Sequence, residues 1–393
     1  VIRTTCSACG YNGLELFLDL GYSPIADAYT ETANERQPLY PLQVAVCTGC
    51  WLAQLLEVVP AGELFGTGYS FYSSASLPLS NYHGQYAMRV LSRHGALVQQ
   101  GLVEVGCNDG DFLRHFTGNG PALGVDPATG PVKRAQEWGL NVVDEPFSRA
   151  LAIELADGFV QRPGVVVLNH VLAHVEDVSD VLAGAALLVA DDGVVYVEVQ
   201  YLPDLLLNNA FDLVYHEHRN FFSLTSLSRA LEQHGLYVAA VEQTDRQGGS
   251  IRVQAVKRRV SCHQRDYLLA QEAWLRDLVA YRGFQGRAER VRDRLLNLLS
   301  HHDVMGFGAP AKATTLLHFC GLDDAEVSHV TDTTLAKQGR FIPNTGIEIR
   351  PPYAGAWHEQ TVLLLAWNYA ADVLKRDLGV EKWIVPLPVP TVL

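Results

Sequence analysis

The chain has 393 residues, 48% of them hydrophobic and 19% charged, which describes a globular protein of two or three domains rather than a disordered or fibrous one. A formal charge of −13 argues against a polynucleotide partner, since phosphate backbones are held by clustered Lys and Arg, but leaves a single nucleotide in a local pocket open. No run approaches the roughly 20 apolar residues that span a bilayer.

The N-terminal "VIRTTCSACG" lacks the basic and then apolar pattern of a secretory signal. Seven cysteines, an odd number, point to a reducing compartment without a disulfide framework, so a cytoplasmic location is expected. Four of the cysteines form two CxxC pairs, Cys6 with Cys9 and Cys47 with Cys50. Each CxxC turn puts two sulfurs on one side of a tight loop, and two such turns complete a tetrahedron around Zn²⁺. Four protein ligands leave the metal no open position, so its expected role is structural. The segment between the pairs must fold as an insertion. The competing redox reading of CxxC needs a βαβ context that this end of the chain does not show.

From about residue 76 the pattern changes. An amphipathic helix around "LSNYHGQYAMRVLSRHG" leads into "GLVEVGCNDGDFLRHF", where an apolar strand, Leu102 to Val105, should run into a glycine-rich turn and then a helix. A second strand ends at Asp126, and "NVVDEPF", "GVVVLNHVLAHVED" and "GVVYVEVQ" supply further strands separated by helical patterns. Such alternation implies an α/β fold with a parallel, doubly wound sheet. "LYVAAVEQ" and "GSIRVQAVK" read as a closing antiparallel pair, residues 264–300 as long helix, and "DVMGFGAPAKATTLL" as the start of a second, smaller α/β module.

Two stretches carry chemistry. In "VEVGCNDGDF", Glu104 lies in the strand, and Gly106, Asn108, Asp109 and Gly110 form the turn. Glycines let a ligand approach the backbone, but the spacing is not the G-x-G-x-x-G of dinucleotide binding. It resembles instead the first motif of class I S-adenosylmethionine-dependent methyltransferases, in which Asp126, at the next strand end, would bond both ribose hydroxyls. Asn169 and His170 end the fourth strand, where open α/β sheets place ligand-facing groups, and Asp144 and Phe147 follow the third. The second stretch is "VYHEH", with Tyr215, His216, Glu217 and His218 in four consecutive positions after the fifth strand. The spacing is not the H-E-x-x-H of a zinc helix; a polar loop and a proton-transfer site remain.

Along the whole chain, "VEVGCNDGDF", "AHVED", "EVQYLPDLL", "VYHEH", "QGGSIRV", "GFGAPAKATTLLHFCG", "KQGRFIPNTGIEI" and "LLLAWNY", with both CxxC pairs and "YSFYSS", resemble the sugar-nucleotide C-methyltransferases. These build branched deoxysugars of antibiotics, such as tetronitrose. The resemblance implies a zinc-binding domain over residues 1–75, a class I methyltransferase domain over 76–260, and a helical bridge with a C-terminal Rossmann-like substrate domain over 261–393. It implies structural zinc, S-adenosylmethionine as methyl donor, and a thymidine-diphosphate (dTDP) 4-keto-deoxysugar as substrate. No nucleic acid polymer or membrane is expected as partner, and the chain should be a monomer or weak homo-oligomer. Catalytic roles carry onto His218 as base, Tyr215 and His174 as donors to the enolate, and Glu217 as support; Tyr69, Tyr72 and Lys312 are expected to contact substrate, and His216 to face away. Methyl transfer to oxygen or nitrogen of a small acceptor, and a non-catalytic binding protein, are the alternatives. "GFGAPAK" lacks the full fingerprint of a nicotinamide site.

Overall fold

Seven strands form the central sheet in the order Tyr237–Thr244, Ser250–Val256, Val194–Gln200, Val165–Asn169, Leu102–Val105, Ala122–Val125, Val142–Val143. The computed structural model describes residues 1–64, 71–353, 355–376 and 378–393. Leu102–Val105 pairs in parallel with both Ala122–Val125 and Val165–Asn169, so the strand order reverses there and its C-terminal end is the sheet's ligand crevice. Ser250–Val256 runs antiparallel to both neighbours, as the sequence pattern predicts. The inner strands are continuous apolar runs because helices cover both faces. Val166 and Leu168 pack with the helices Arg149–Gly158, Val178–Leu188 and Leu224–Gln233, while Val165 and Val167 pack on Tyr86, Val90 and Val98 of Leu77–Gln100.

Two helical expectations change. After the glycine turn the chain makes only a short 3₁₀ segment, Leu113–Phe116, because Gly118, Gly120 and Pro121 must return it to the strand at Ala122. At Gly120, with φ of +159°, a Cβ would fall 2.3 Å from the Val98 carbonyl oxygen, so the return is tight. The long helix over 264–300 is instead His263–Gln271, Ala273–Arg276, Val279–Arg282 and Phe284–Leu299. The first break is at Glu272, whose buried carboxylate accepts the Leu224 and Thr225 amides, 2.7 Å each, and so caps a different helix. That contact is tertiary, and charge periodicity carries no trace of it.

The N-terminal segment forms its own sheet, Leu14–Ser23, Tyr40–Cys47, Ala53–Leu55 and Asn220–Phe221. The expected insertion between the CxxC pairs is thus the antiparallel pair Leu14–Ser23 and Tyr40–Cys47. The fourth strand comes from the middle of the chain, directly after the Tyr215–His218 run, and pairs Phe221 with Ala53. The C-terminal module is a six-stranded sheet in the order Ile349–Arg350, Val327–Thr331, Val304–Phe307, Thr361–Leu364, Lys382–Val385, Thr391–Val392, parallel except for the last strand. One buried cluster joins Leu18, Leu42 and Val44 to Phe211, Leu213 and Val214 and to Leu316 and Leu317, so the polar run is clamped between both outer modules. Among the described residues no helix is long and apolar enough to cross a membrane.

Candidate active site

The glycine turn sits at the crevice. Gly106 and Gly110 have φ of +69° and +77°, and a Cβ would come within 2.4 Å of Val171 and 2.2 Å of Leu140 respectively. Between them Asn108 also takes a positive φ, of 50°, which Asn tolerates better than most residues. Asp126 Oδ2 accepts the Asn108 amide and Oδ1 the Ala128 amide, each at 2.8 Å, leaving a lone pair on each oxygen for a ribose hydroxyl. Burial, foremost, raises the pKa of Asp126. Glu104 is buried deeper, below the turn, and burial pushes its pKa well up, with Asp126 and Asp111 adding to it.

The segment 71–75 straps this turn. Asn108 Oδ1 accepts the Ser73 amide at 2.8 Å, its Nδ2 donates to the Phe71 carbonyl at 3.2 Å, and Asp109 accepts the Ser74 hydroxyl. Asn108 and Asp109 therefore hold the strap as well as shaping the turn. Tyr72, read as a substrate contact, lies against Gly130 and beneath Arg134, at the start of helix Thr129–Glu137 and close to Asp126. Tyr69 lies outside the described residues. Asp144 reaches the Thr129 hydroxyl at 3.5 Å, whereas Phe147 packs against Gly184 of the helix below. The Asn169 amide is buried with neither polar atom hydrogen-bonded among the described residues.

Gly106→Ala would force a left-handed backbone on a residue with a Cβ and drive that Cβ into Val171. S-adenosylmethionine binding should weaken by roughly 5- to 150-fold by calorimetry, from a strain of roughly 1–3 kcal/mol. Unchanged affinity would mean that the turn does not shape the donor pocket.

His170, with φ of 56°, meets Glu198 at 3.3 Å. Glu198 also accepts the Tyr82 hydroxyl at 2.5 Å and Arg252 Nε at 2.7 Å, while Arg252 reaches Glu242 and Tyr82 and lies 3.4 Å from the centre of the Tyr86 ring. Burial alone would raise the Glu198 pKa, but His170, Arg252 and Tyr82 bring it down to about 2. The sequence reading missed this network. The signal was present: single charges inside the apolar strands "VVYVEVQ" and "SIRVQAV", whose register sets Arg252 opposite Glu198.

In the polar run, His218 Nδ1 lies 2.9 Å from the Leu213 carbonyl. A carbonyl only accepts, so Nδ1 carries the proton, and Nε2 accepts the Tyr215 hydroxyl at 2.7 Å. Burial, then His174, lowers the His218 pKa well below its ordinary value, so the ring is neutral. His174 Nδ1 donates to the Glu217 carbonyl at 2.7 Å, and burial takes its pKa down to about 4. With its Nδ1 proton on that carbonyl, neutral His174 has no second N–H to donate, which changes the donor role expected of it. His216 turns to the Pro41 carbonyl, 3.2 Å away, outside the cluster. Glu217 is 6% exposed, and neither carboxyl oxygen finds a hydrogen-bond partner among the described residues.

Lys312, expected to contact substrate, is buried. Its ammonium lies 3.4 Å from Asp212 and 3.8 Å from the centre of the Trp367 ring, and Trp367 donates to Asp212 at 2.6 Å. Burial takes its pKa down to about 8 against the pull of Asp212. Asp212 heads the segment that carries Tyr215, so Lys312 ties the C-terminal module to the polar run.

The sulfur atoms of Cys6, Cys9, Cys47 and Cys50 all lie within 4.8 Å of one another, with Cys6 to Cys50 at 3.5 Å and Cys9 to Cys47 at 3.6 Å. A tetrahedron of thiolates at the usual Zn–S length has edges of about 3.8 Å, so the four fit zinc. The strand Ala53–Leu55 begins three residues past Cys50 and holds the chain after His218. Stripping the metal, or Cys50→Ser, should abolish most methyl transfer while the donor pocket in the central sheet still binds S-adenosylmethionine. Full transfer by the stripped protein would show that the zinc knot does not position the polar run.

Family models match three successive parts of the chain: a zinc binding domain over residues 6–65, a methyltransferase domain over 84–241 and a C-methyltransferase C-terminal domain over 245–388. The chain is 34% identical over 409 residues to the C-methyltransferase NovU of Streptomyces niveus, covering 99% of this chain and 96% of that one. Solved structures resemble it loosely. Magnesium protoporphyrin IX methyltransferase of Synechocystis PCC 6803 is 16% identical, over 50% of this chain and 92% of that one, at a TM-score of 0.35. The YcgJ protein of Bacillus subtilis is 13% identical, over 45% and 100%, also at 0.35. Those two likenesses bear no weight; the near end-to-end identity and the ordered domain matches do, and by them the chain belongs to the S-adenosylmethionine-dependent C-methyltransferases with a zinc-binding N-terminal domain.

Proposed function

We propose that the enzyme methylates the carbon next to the ketone of a dTDP-linked 4-keto-deoxysugar, in the making of a branched antibiotic sugar. It would act in the cytoplasm, as a monomer or weak homo-oligomer. The observation that carries this reading is the Tyr215–His218 pair, 2.7 Å apart, beside a buried carboxyl. Carbon becomes a nucleophile only after losing a proton, and a neighbouring ketone makes that loss feasible by taking the charge as an enolate. Oxygen or nitrogen acceptors would not need so dry a site.

S-adenosylmethionine, when bound, supplies the methyl group: the new C–C bond forms as the S–CH₃ bond breaks and a thioether leaves. Gly106, Gly110, Asp126, Asn169 and His170 hold it, with Glu104, Asn108 and Asp109 supporting the turn; Phe147 shapes that side from below, and Tyr72 covers its ribose end. Tyr215 takes the carbon-bound proton as its own passes to His218 Nε2, and the resulting imidazolium keeps Nδ1–H on the Leu213 carbonyl. Lys312, beside Asp212, offers positive charge toward the sugar diphosphate, with Tyr69 on the same cleft.

The test is wild-type enzyme with a panel of nucleotide-linked 4-keto sugars in D₂O, with products read by mass spectrometry and NMR. The expected result is deuterium entering, and a methyl group added, at C3 or C5. Methyl on oxygen or nitrogen without exchange would sink this reading in favour of the small-acceptor one, and failure to bind S-adenosylmethionine would favour a non-catalytic protein.

A further inference from the structure

We propose that a recess on the flank of the central sheet is a second ligand site, one that takes a phosphoryl anion. Its volume is about 450 Å³, the size of a small-ligand pocket, and its lining includes none of the residues of the donor turn. One wall is the helix Leu77–Gln100, on which Gln85, Arg89 and Arg93 recur every fourth residue and so share one stripe. The other is the outer part of the sheet, where Tyr196, Glu242, Arg252 and Gln254 come from three adjacent strands.

The recess is rich in donors. Arg89 and Arg93 are exposed, and among the described residues neither guanidinium has a hydrogen-bond or carboxylate partner. Gln254 Oε1 accepts from His94 at 3.3 Å, which leaves the amide N–H groups of Gln254 to donate. Tyr86 also lines the recess; it is 1% exposed, and its hydroxyl is unpaired among the described residues. A buried donor without an acceptor is uncommon in a folded chain and calls for a partner. Against these donors stands one lining carboxylate. Glu242 accepts from Arg252 Nη1, while Glu198 takes the other edge of that guanidinium, with Nε at 2.7 Å and Nη2 at 2.6 Å. Glu198 is 1% exposed, whereas Glu242 is 50% exposed. Glu242 can therefore turn out into water, and an anion entering the recess takes its place on Arg252 Nη1.

Charge and geometry select the class of ligand. Three guanidiniums and one displaceable carboxylate suit a compact head that carries close to two negative charges and several acceptor oxygens. A phosphate or a phosphate monoester has both near neutral pH. A monocarboxylate has one charge and two oxygens, and would leave at least one arginine without a partner. The recess is also large enough for the organic body of a sugar phosphate. Because the chain as a whole carries a formal charge of −13, long-range attraction does not bring anions here, and affinity depends on these short contacts.

The test is calorimetry on the full-length, zinc-loaded protein with two probes, inorganic phosphate and glucose 1-phosphate. The double variant Arg89→Gln with Arg93→Gln should bind both at least about tenfold more weakly, since it loses two charge-assisted contacts. Glu242→Gln removes the competing charge and should bind them several-fold more tightly. Both arginines and Glu242 are exposed, so the variants should fold, and unchanged S-adenosylmethionine affinity reports that they have. Equal affinity for the two probes identifies free phosphate as the occupant; tighter binding of glucose 1-phosphate identifies a phosphate ester. Wild-type protein that binds neither probe overturns the inference. So does binding that survives the double variant unchanged, which would lie elsewhere on the chain, or a Glu242→Gln protein that binds no better than wild type.

Discussion

His218→Ala should lose methyl transfer and exchange of the carbon-bound proton together, by roughly 10²–10⁴-fold, with S-adenosylmethionine affinity unchanged. The size follows from what the ring supplies. Its Nδ1 is committed to the Leu213 carbonyl, so Nε2 is the one site on the ring that can receive a proton, and Tyr215 is the group that delivers it. Tyr215→Phe should therefore match His218→Ala rather than add to it, since residues that act as one unit are not additive. Because burial keeps His218 and His174 neutral well below pH 6.5, the acid limb of the rate profile should not follow an ordinary histidine. Stopped transfer with retained exchange in His218→Ala would remove His218 from the base.

Arg252→Met should cost about 3–5 kcal/mol of stability, because it leaves the Glu198 carboxylate buried without its cation. Both side chains are almost wholly buried, 2% and 1% exposed. Burial would raise the Glu198 pKa, and Arg252 is one of the partners that bring it down to about 2. The double variant Arg252→Met with Glu198→Leu should recover much of the loss, since removing both charges avoids an uncompensated one. Denaturant unfolding of the three variants measures this. An Arg252→Met protein within about 1 kcal/mol of wild type would mean that His170 and Tyr82 alone satisfy Glu198. Because His170 ends the strand beside the donor turn, the single variant should also weaken S-adenosylmethionine binding.

Much of this architecture can be read from local pattern. Leu102–Val105 and the strands ending at Val125, Asn169 and Gln200 are apolar runs bounded by turn residues, and a strand buried on both faces needs little else to be recognised. The four cysteines are legible because tetrahedral thiolate ligation constrains spacing on each CxxC turn, not the distance between them. Glu198 and Arg252 were legible in principle, as lone charges in apolar strands, but their pairing depends on register across strands far apart in the chain.

The sequence by itself determined the cysteine cluster, the order of the strands, the glycine turn with Asp126 at the crevice, and the residue types of the polar run. Each depends on neighbours within a few positions: the period of apolar side chains, the positive φ of a glycine, the reach of a CxxC loop. Only the tertiary structure decided how the polar residues are paired and buried. It set Nδ1 of His218 and of His174 on carbonyls, and so fixed the tautomer of each ring. It buried Lys312 against Asp212 and Trp367 and set Tyr72 against Gly130 and Arg134. Proton positions and pKa values depend on burial and on partners far apart in the chain, and no local pattern encodes either.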